Sequence, residues 1–282
     1  MLTKNEFLKS YQAIANQYVT EEVTETGRYY TINQDKYRSV TTVLKLMSDD
    51  AWLETWHRNI NDLIYQSVLK DKNVFDTKLV TKTSDLGWLE SWYNQIKTTF
   101  KESHFYDPNN GKILCDFISE ESRVYGTQMH SNIESHFKHE PLPFPNGEGY
   151  FLFENIMPLL KPINEVWAQE LVIWTNKFKI CGRFDCLGLF NGKLTLIDFK
   201  SAKNFKQEKY LINYRLQTTL YCYMIYELFG LKIDQVAILI GMRKAFKGKQ
   251  PQPQIDIFPA NRYVVDLSVL IKNYLKGDFV CP

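Results

Sequence analysis

No stretch of the chain is apolar over the ~20 consecutive positions that a membrane span needs. Nor does any Cys-x-x-C pair occur among its five cysteines. Close ligand pairs are the usual mark of zinc and iron–sulphur sites, so their absence argues against both. Cys115, Cys181, Cys186, Cys222 and Cys281 are odd in number and read as reduced thiols. The expected location is intracellular and reducing: cytoplasm or nucleoid, or a host cell if the chain is phage-encoded. An excess of one charge is also lacking. Lys and Arg number 34 against 32 Asp and Glu, a net charge of +2, so any nucleic-acid surface must be a local patch. Met1 to Gln17 alternates polar and apolar residues and includes Glu6, which fits neither a signal peptide nor an acid-poor transit peptide. What is present is 44% hydrophobic and 15% aromatic residues over 282 positions, enough for one large domain or a core with an added lobe.

Two strands can be drawn from the sequence. Ile180 to Leu189 and Lys193 to Lys200 flank Phe190-Asn191-Gly192, and Asn-Gly is the strongest short hairpin signal, because a type I′ turn needs positive φ at both central residues. A two-residue loop pairs Phe190 with Lys193 and, counting back, Asp185 with Asp198. Alternation then places Asp185, Asp198 and Lys200 on one face, with Phe184 and Phe199 on the other. The same count makes Asp185 and Asp198 a non-hydrogen-bonded pair, whose side chains approach most closely. Like charges directly opposite destabilise a hairpin, and a divalent cation between them would reverse that, since Mg²⁺ prefers carboxylate oxygens. The plain alternative is a solvated surface patch in which Arg183 and Lys200, on the same face, neutralise the acids diagonally.

Along the rest of the chain, Met1 to Gln17 reads as a short helix, and Arg28 to Ile32 with Tyr37 to Thr42 as a strand pair about the polar turn Asn33-Gln34-Asp35. Two amphipathic helices follow, carrying Ala51-Trp-Leu-Glu-Thr-Trp56 and Gly87-Trp-Leu-Glu-Ser-Trp92, with a polar loop from Lys70 to Lys82 between them. Helices are expected over Asp116 to Phe137, over Glu148 to Leu160 with a kink at Pro158, over Glu208 to Phe229 with an αL stop at Gly230, and over Asp266 to Leu275. Further strands are expected over Val166 to Trp174, Val236 to Met242 and Ile255 to Phe258. This order predicts an α/β core with a mixed sheet and helices on both faces.

That order, with Asp185 and Asp198-Phe199-Lys200, resembles the PD-(D/E)xK nuclease superfamily. Gly126-Thr-Gln-Met-His130 with Ile133-Glu134 looks like the helix motif that supplies a histidine in the RecB-type branch. Glu170 sits where that branch carries an acid before the hairpin. Gly182-Arg-Phe-Asp185 looks like its G-x-x-D, and Gln217-Thr-Thr-Leu-Tyr221 like its Q-x-x-x-Y. Tyr37-Arg-Ser-Val-Thr-Thr-Val43 is similar to the P-S-V-T element of the mitochondrial genome maintenance exonucleases and related phage exonucleases, with Arg38 in place of the proline. The resemblance covers roughly residues 37–45 and 120–242 and leaves the two Trp helices unexplained. It implies a restriction-endonuclease-like core over 116–282 with an N-terminal strand pair and helical lobe over 1–115.

The same resemblance implies a metal-dependent deoxyribonuclease, an exonuclease on single-stranded or frayed DNA ends in replication, recombination or repair. Asp185, Asp198, the Phe199 carbonyl and His130 would hold Mg²⁺ or Mn²⁺, the imidazole making Mn²⁺ competitive. Lys200 would position or deprotonate the attacking water and neutralise charge developing on the phosphate. Glu170 is either a ligand through water or a plain strand acid. His130 itself is either a ligand or a packed helix residue, and Glu134 either orients it or is solvated. Gln217 and Tyr221 either contact the lysine or DNA, or form a satisfied polar pair. His57, His104, His136 and His139 carry no spacing signal. Lys200, Lys203, Lys206 and Lys209 recur beside Phe205, Tyr210, Tyr214 and Arg215, and Arg243, Lys244, Lys247 and Lys249 cluster in a turn. Cations interleaved with aromatics suit single-stranded DNA. The expected partner is therefore single-stranded DNA, with a replication or recombination protein as a further candidate and no membrane. The rival readings are a non-catalytic DNA-binding subunit on the same fold, a double-strand exonuclease, or a structure-specific endonuclease.

Overall fold

Two tight turns organise the sheet. Asn191 (φ 50°) and Gly192 (φ 76°) join β5 (Ile180–Phe190) to β6 (Lys193–Ala202) in the type I′ geometry that Asn-Gly favours. Asn33 (φ 49°) and Gln34 (φ 76°) make a matching turn between β2 (Gly27–Ile32) and β3 (Asp35–Ser39). The structure is a computed structural model that describes residues 2–15, 19–24, 27–46, 108–202, 205–243 and 251–277. The two expected Trp helices and their loop, together with Lys203, Lys244, Lys247 and Lys249, lie outside the described residues. With β1 (Val19–Thr24), β4 (Ile163–Thr175), β7 (Gln235–Met242) and β8 (Gln254–Pro259), the strands form an eight-stranded sheet in the order β1-β2-β3-β5-β6-β7-β8, with β4 on β5. It is mixed: β3 runs parallel to β5 and β6 to β7, while the other pairings are antiparallel.

Helices cover both faces, so the fold is α/β as expected. Along β7, Val236, Ile238 and Ile240 join one core cluster with Phe7 of α1 (Lys4–Ala15), Val43 of α2 (Val40–Leu46), Leu216 and Leu220 of α5 (Ile212–Phe229) and Ile271 of α6 (Val264–Lys276). Gly241, one residue on, points the other way. A Cβ there would sit 3.1 Å from both Met129 of α3 (Pro108–Lys138) and Leu152 of α4 (Gly147–Leu160), a tight approach, so glycine lets these helices lie close to the strand without a shift. Pro158 stands inside α4, and α5 ends at Gly230 in the left-handed region (φ 65°), whose N–H donates to the Tyr226 carbonyl.

Two expectations on local structure are corrected, and one strand is added. The strand expected to reach Thr42 ends at Ser39, whose Oγ accepts the Thr42 N–H at 3.1 Å and caps α2. β1 adds an edge strand of largely exposed residues that carries no apolar alternation to read. The helix expected from Glu208 begins as a 3₁₀ turn (Glu208–Tyr210), with α5 starting at Ile212. The chain forms two compact units, residues 1–48 with 128–282 and residues 49–127. The division differs from the one expected at 115/116 because the N-terminal strands pair into the central sheet through β3 and β5. Within the second unit the described residues are 108–127 of α3.

Candidate metal centre

The site forms where the sheet forks. The β5–β6 ladder runs from Phe190↔Lys193 to Cys186↔Ile197 in the register that the Asn-Gly turn dictates, and stops there. On the same edge of β5, β3 pairs with Ile180 and Cys181. Among the described residues, Gly182 to Asp185 has no ladder partner on that edge, and Asp185 and Asp198 stand one step beyond the last pair. They are therefore not the closed cross-strand pair that counting predicted. Instead the Phe199 N–H donates to Asp185 Oδ2 at 2.7 Å, and His130 Nε2 lies 2.9 Å from the Phe199 carbonyl. A carbonyl only accepts, so this second contact places a proton on Nε2. Asp185 and His130 thus satisfy the backbone groups that the fork leaves without ladder bonds.

The pleat also changes phase here. Phe184 and Leu187 of β5, with Ala168 and Ile173 of β4, all join the α5-side core cluster, and Gly182 faces Tyr221 of α5. Strict alternation would place residues 184 and 187 on opposite faces. The change falls across Gln169–Glu170 and Asp185–Cys186, and Glu170 adopts a left-handed φ of 52° within β4. A non-glycine residue held there carries backbone strain, a feature concentrated at functional sites. The expectation that Phe184 shares the face opposite the charges is corrected for the same reason.

The fork gathers the charged groups. Ligand atoms of His130, Glu170 and Asp185 all lie within 4.8 Å of one another. His130 Nδ1 is 3.7 Å from Glu170 Oε1 and 3.8 Å from Asp185 Oδ2. Asp198 is 1% exposed, and Lys200 Nζ stands 2.6 Å from its Oδ2. The contact is a charge pairing rather than an aligned hydrogen bond, for neither Asp198 oxygen finds a donor in hydrogen-bonding direction. Burial pushes the Asp198 carboxyl up to about 6, against the pull of Lys200 and with Asp185 adding to the rise. Burial also opposes the Lys200 ammonium, but Asp198 and Asp185 hold it above the ordinary lysine value. For His130 burial again disfavours the charge, and Asp185 and Glu170 outweigh it. Asp185, Asp198 and Lys200 are therefore no solvated patch. Arg183, the cation assigned to such a patch, is exposed and turns to Glu21 at 3.9 Å.

These residues fit a divalent cation. Oxygen donors from Glu170 and Asp185, with one imidazole from His130, could hold a divalent cation such as Mg²⁺ or Mn²⁺; Asp198, paired with Lys200, is not among these three. Asp198 Oδ1, buried and without a hydrogen-bond donor, leaves room for a further polar partner beside Lys200. Glu170 and His130, each with two readings in the sequence, are both brought into the cluster. Glu134 is not: it pairs with Lys138 at 2.6 Å, one helical turn on.

The remaining expected residues divide. Gln217 Nε2 donates to the Tyr221 hydroxyl at 3.1 Å, and Tyr221 is buried, its ring filling the space that a Cβ on Gly182 would need. Burial raises the Tyr221 hydroxyl well above its ordinary pKa. Tyr214 underlies Lys200, whose Nζ is 5.4 Å from the ring centroid. Arg215, expected to face DNA, is corrected. It is 8% exposed, held by Asp256 at 2.7 Å and Glu208 at 2.6 Å, and stacked on Tyr263. Its charge is consumed in fixing the start of α5 to β8. Lys209 is exposed over Tyr210, while Lys206 and Arg243 are half-buried. His136 packs against the rings of Phe137 and Phe153.

One cavity among the described residues lies away from this site. Its volume is about 870 Å³ and it is walled by α5 and α6 residues such as Tyr223, Leu267 and Ile271. Cys181, Cys186 and Cys222 are buried free thiols. Among the described residues, no helix is long and apolar enough to cross a membrane. No family model matches the chain, and no curated protein matches it. Among solved structures it is similar to one described as "Crystal structure of SSO0001", with 14% identity, covering 78% of this chain and 94% of that one at a TM-score of 0.31.

Proposed function

We propose that this protein is a metal-dependent deoxyribonuclease that hydrolyses phosphodiester bonds, an exonuclease acting on single-stranded or frayed DNA ends in replication, recombination or repair. The observation that carries this reading is the convergence of His130, Glu170 and Asp185 at the fork beside the buried Asp198–Lys200 pair. His130, Glu170, Asp185 and Asp198 would hold Mg²⁺ or Mn²⁺, which supplies Lewis acidity and a bound water of lowered pKa. Lys200 places its ammonium beside the acids, where it meets negative charge developing on a transferring phosphate and orients the attacking water. Tyr214 and Asp198 fix that ammonium from two sides. Asp185 and His130 hold the Phe199 backbone, which keeps the two strands open at the site.

The test is incubation of end-labelled linear single strands and closed single-stranded circles with Mg²⁺, Mn²⁺ or excess chelator. Linear strands should be degraded with either metal, while circles are spared and chelator stops the reaction. Cleavage that persists in chelator would overturn the metal assignment. Rapid cutting of circles would replace the exonuclease reading with an endonuclease.

A further inference from the structure

Exposed aromatic rings grouped together and rimmed by polar residues mark a contact surface, whereas single ones need no explanation. Two stand in one short segment. Phe205 is 69% exposed and Tyr210 is 54% exposed. The segment that carries them is held, not loose. Gln254 of β8 clamps the backbone of Lys206 from both sides, its Oε1 accepting the Lys206 N–H and its Nε2 donating to the Lys206 carbonyl, each at 2.9 Å. The 3₁₀ turn follows at once, with the Tyr210 N–H donating to the Gln207 carbonyl at 2.9 Å. Both rings are thus presented by a fixed backbone, at low entropic cost to a ligand.

The charges around them have one sign left over. Lys209 Nζ lies 4.8 Å from the Tyr210 ring centroid and covers one face of it. Lys206 stands between the two rings in sequence. The one acid in the segment, Glu208, is spent on Arg215 at 2.6 Å. Four residues after Tyr210, Tyr214 underlies Lys200 of the fork. The aromatic–cationic segment is therefore continuous in sequence with a residue that touches Lys200 of the fork.

We infer that Phe205 and Tyr210, with Lys206 and Lys209, form a stacking platform for the bases of single-stranded DNA, leading the strand toward Lys200. Rings accept any unpaired base on their faces while the lysines meet its phosphates. Duplex DNA keeps its bases stacked within the helix and offers the rings nothing. The direction of the strand rests on the nuclease reading of the fork; the platform itself does not.

Equilibrium binding in excess chelator separates the two. The probes are a fluorescein-labelled oligothymidylate, an abasic strand of the same length and a short duplex. For Phe205→Ala/Tyr210→Ala, affinity for oligothymidylate should fall on the order of tenfold or more, from stacking lost at two rings. Affinity for the abasic strand and the duplex should stay as in wild type. The aromatic-retaining Phe205→Tyr/Tyr210→Phe should bind oligothymidylate like wild type, and thermal melts of both variants confirm folding. An equal loss on all three probes, or no loss on oligothymidylate, overturns the platform. A platform that passes while wild type shows no metal-dependent cleavage would leave base stacking standing and sink the nuclease reading. Metal-dependent cleavage with unchanged variant binding would do the reverse.

Discussion

The two hairpins of the sheet share a turn and differ in what they do with charge. In β2–β3 the ladder runs unbroken from Ile32↔Asp35 to Tyr29↔Arg38. Its charges are settled locally: Lys36 and Arg38 stand 5.0 Å and 5.5 Å from the Tyr29 ring centroid, and Asp35 meets Lys179 at 2.8 Å. In β5–β6 the ladder ends at Cys186↔Ile197, and the next residues bring carboxylates inward. Asp198 is buried with neither oxygen aligned to a donor, and Glu170 on the adjoining strand is held in left-handed backbone. β3 then takes up the edge of β5 that β6 has left. One hairpin closes its ladder and buries one cation, Arg38, beside the Tyr29 ring; the other gives up ladder bonds and buries a carboxylate. Strained backbone of this kind clusters at functional sites.

The largest test of this contrast compares one lysine from each hairpin. Lys200→Ala should lower the single-turnover rate on an end-labelled strand by on the order of 10²–10³, the scale for removing a charge-stabilising donor. DNA binding should persist, because it rests on many cations. Lys36→Ala, in the closed hairpin, should leave the rate unchanged. Equal rates for Lys200→Ala and wild type would remove the role assigned to the fork.

A smaller effect should appear in stability. Asp185→Asn keeps an oxygen to accept the Phe199 N–H and removes one negative charge beside Asp198, while taking a counter-charge from Lys200 and His130. Metal-free melts should therefore agree to within about 1 kcal/mol, the scale of cross-strand pairs. Adding Mg²⁺ or Mn²⁺ at a hundred times its dissociation constant should stabilise wild type by about 2.7 kcal/mol through binding to the folded state. Asp185→Asn should gain much less. An equal gain in both proteins would place the ion elsewhere. A large loss in the metal-free variant would mean that the negative charge, and not the acceptor alone, holds the fork.

How much of this is legible in the sequence follows the range of the interactions. The Asn191-Gly192 turn is local, and the register it sets was readable down to Cys186↔Ile197. The end of the ladder was not, because it depends on His130, which reaches Phe199 from a helix 69 residues earlier in the chain. Arg215 read as a DNA contact because Asp256, its partner, lies 41 residues further on. The Val40-Thr-Thr-Val43 run is β-branched and reads as strand, yet the Ser39 cap starts a helix there. The strain at Glu170 left no mark in composition, since glycine or asparagine would have signalled a left-handed residue and glutamate does not.

The smallest expected effect bears on the turns themselves. Gln34 and Gly192 occupy the second turn position of their hairpins with the same φ of 76°. A side chain in that conformation costs roughly 1–2 kcal/mol through its Cβ. Gln34→Gly removes this cost but adds about 0.5–1 kcal/mol of chain entropy, so a net gain of roughly 0.5 kcal/mol is expected. Gly192→Ala reverses the argument. No atom lies within 4 Å of the Cβ position, so the change meets no packing clash and acts through φ alone. It should cost roughly 1 kcal/mol once the entropy saved in the unfolded chain is counted. Urea melts of the two variants should therefore move in opposite directions from wild type. If both moved the same way, the two turns would differ in something other than their residue at this position, and the β2–β3 turn could not serve as the counterpart of the turn that leads to the fork.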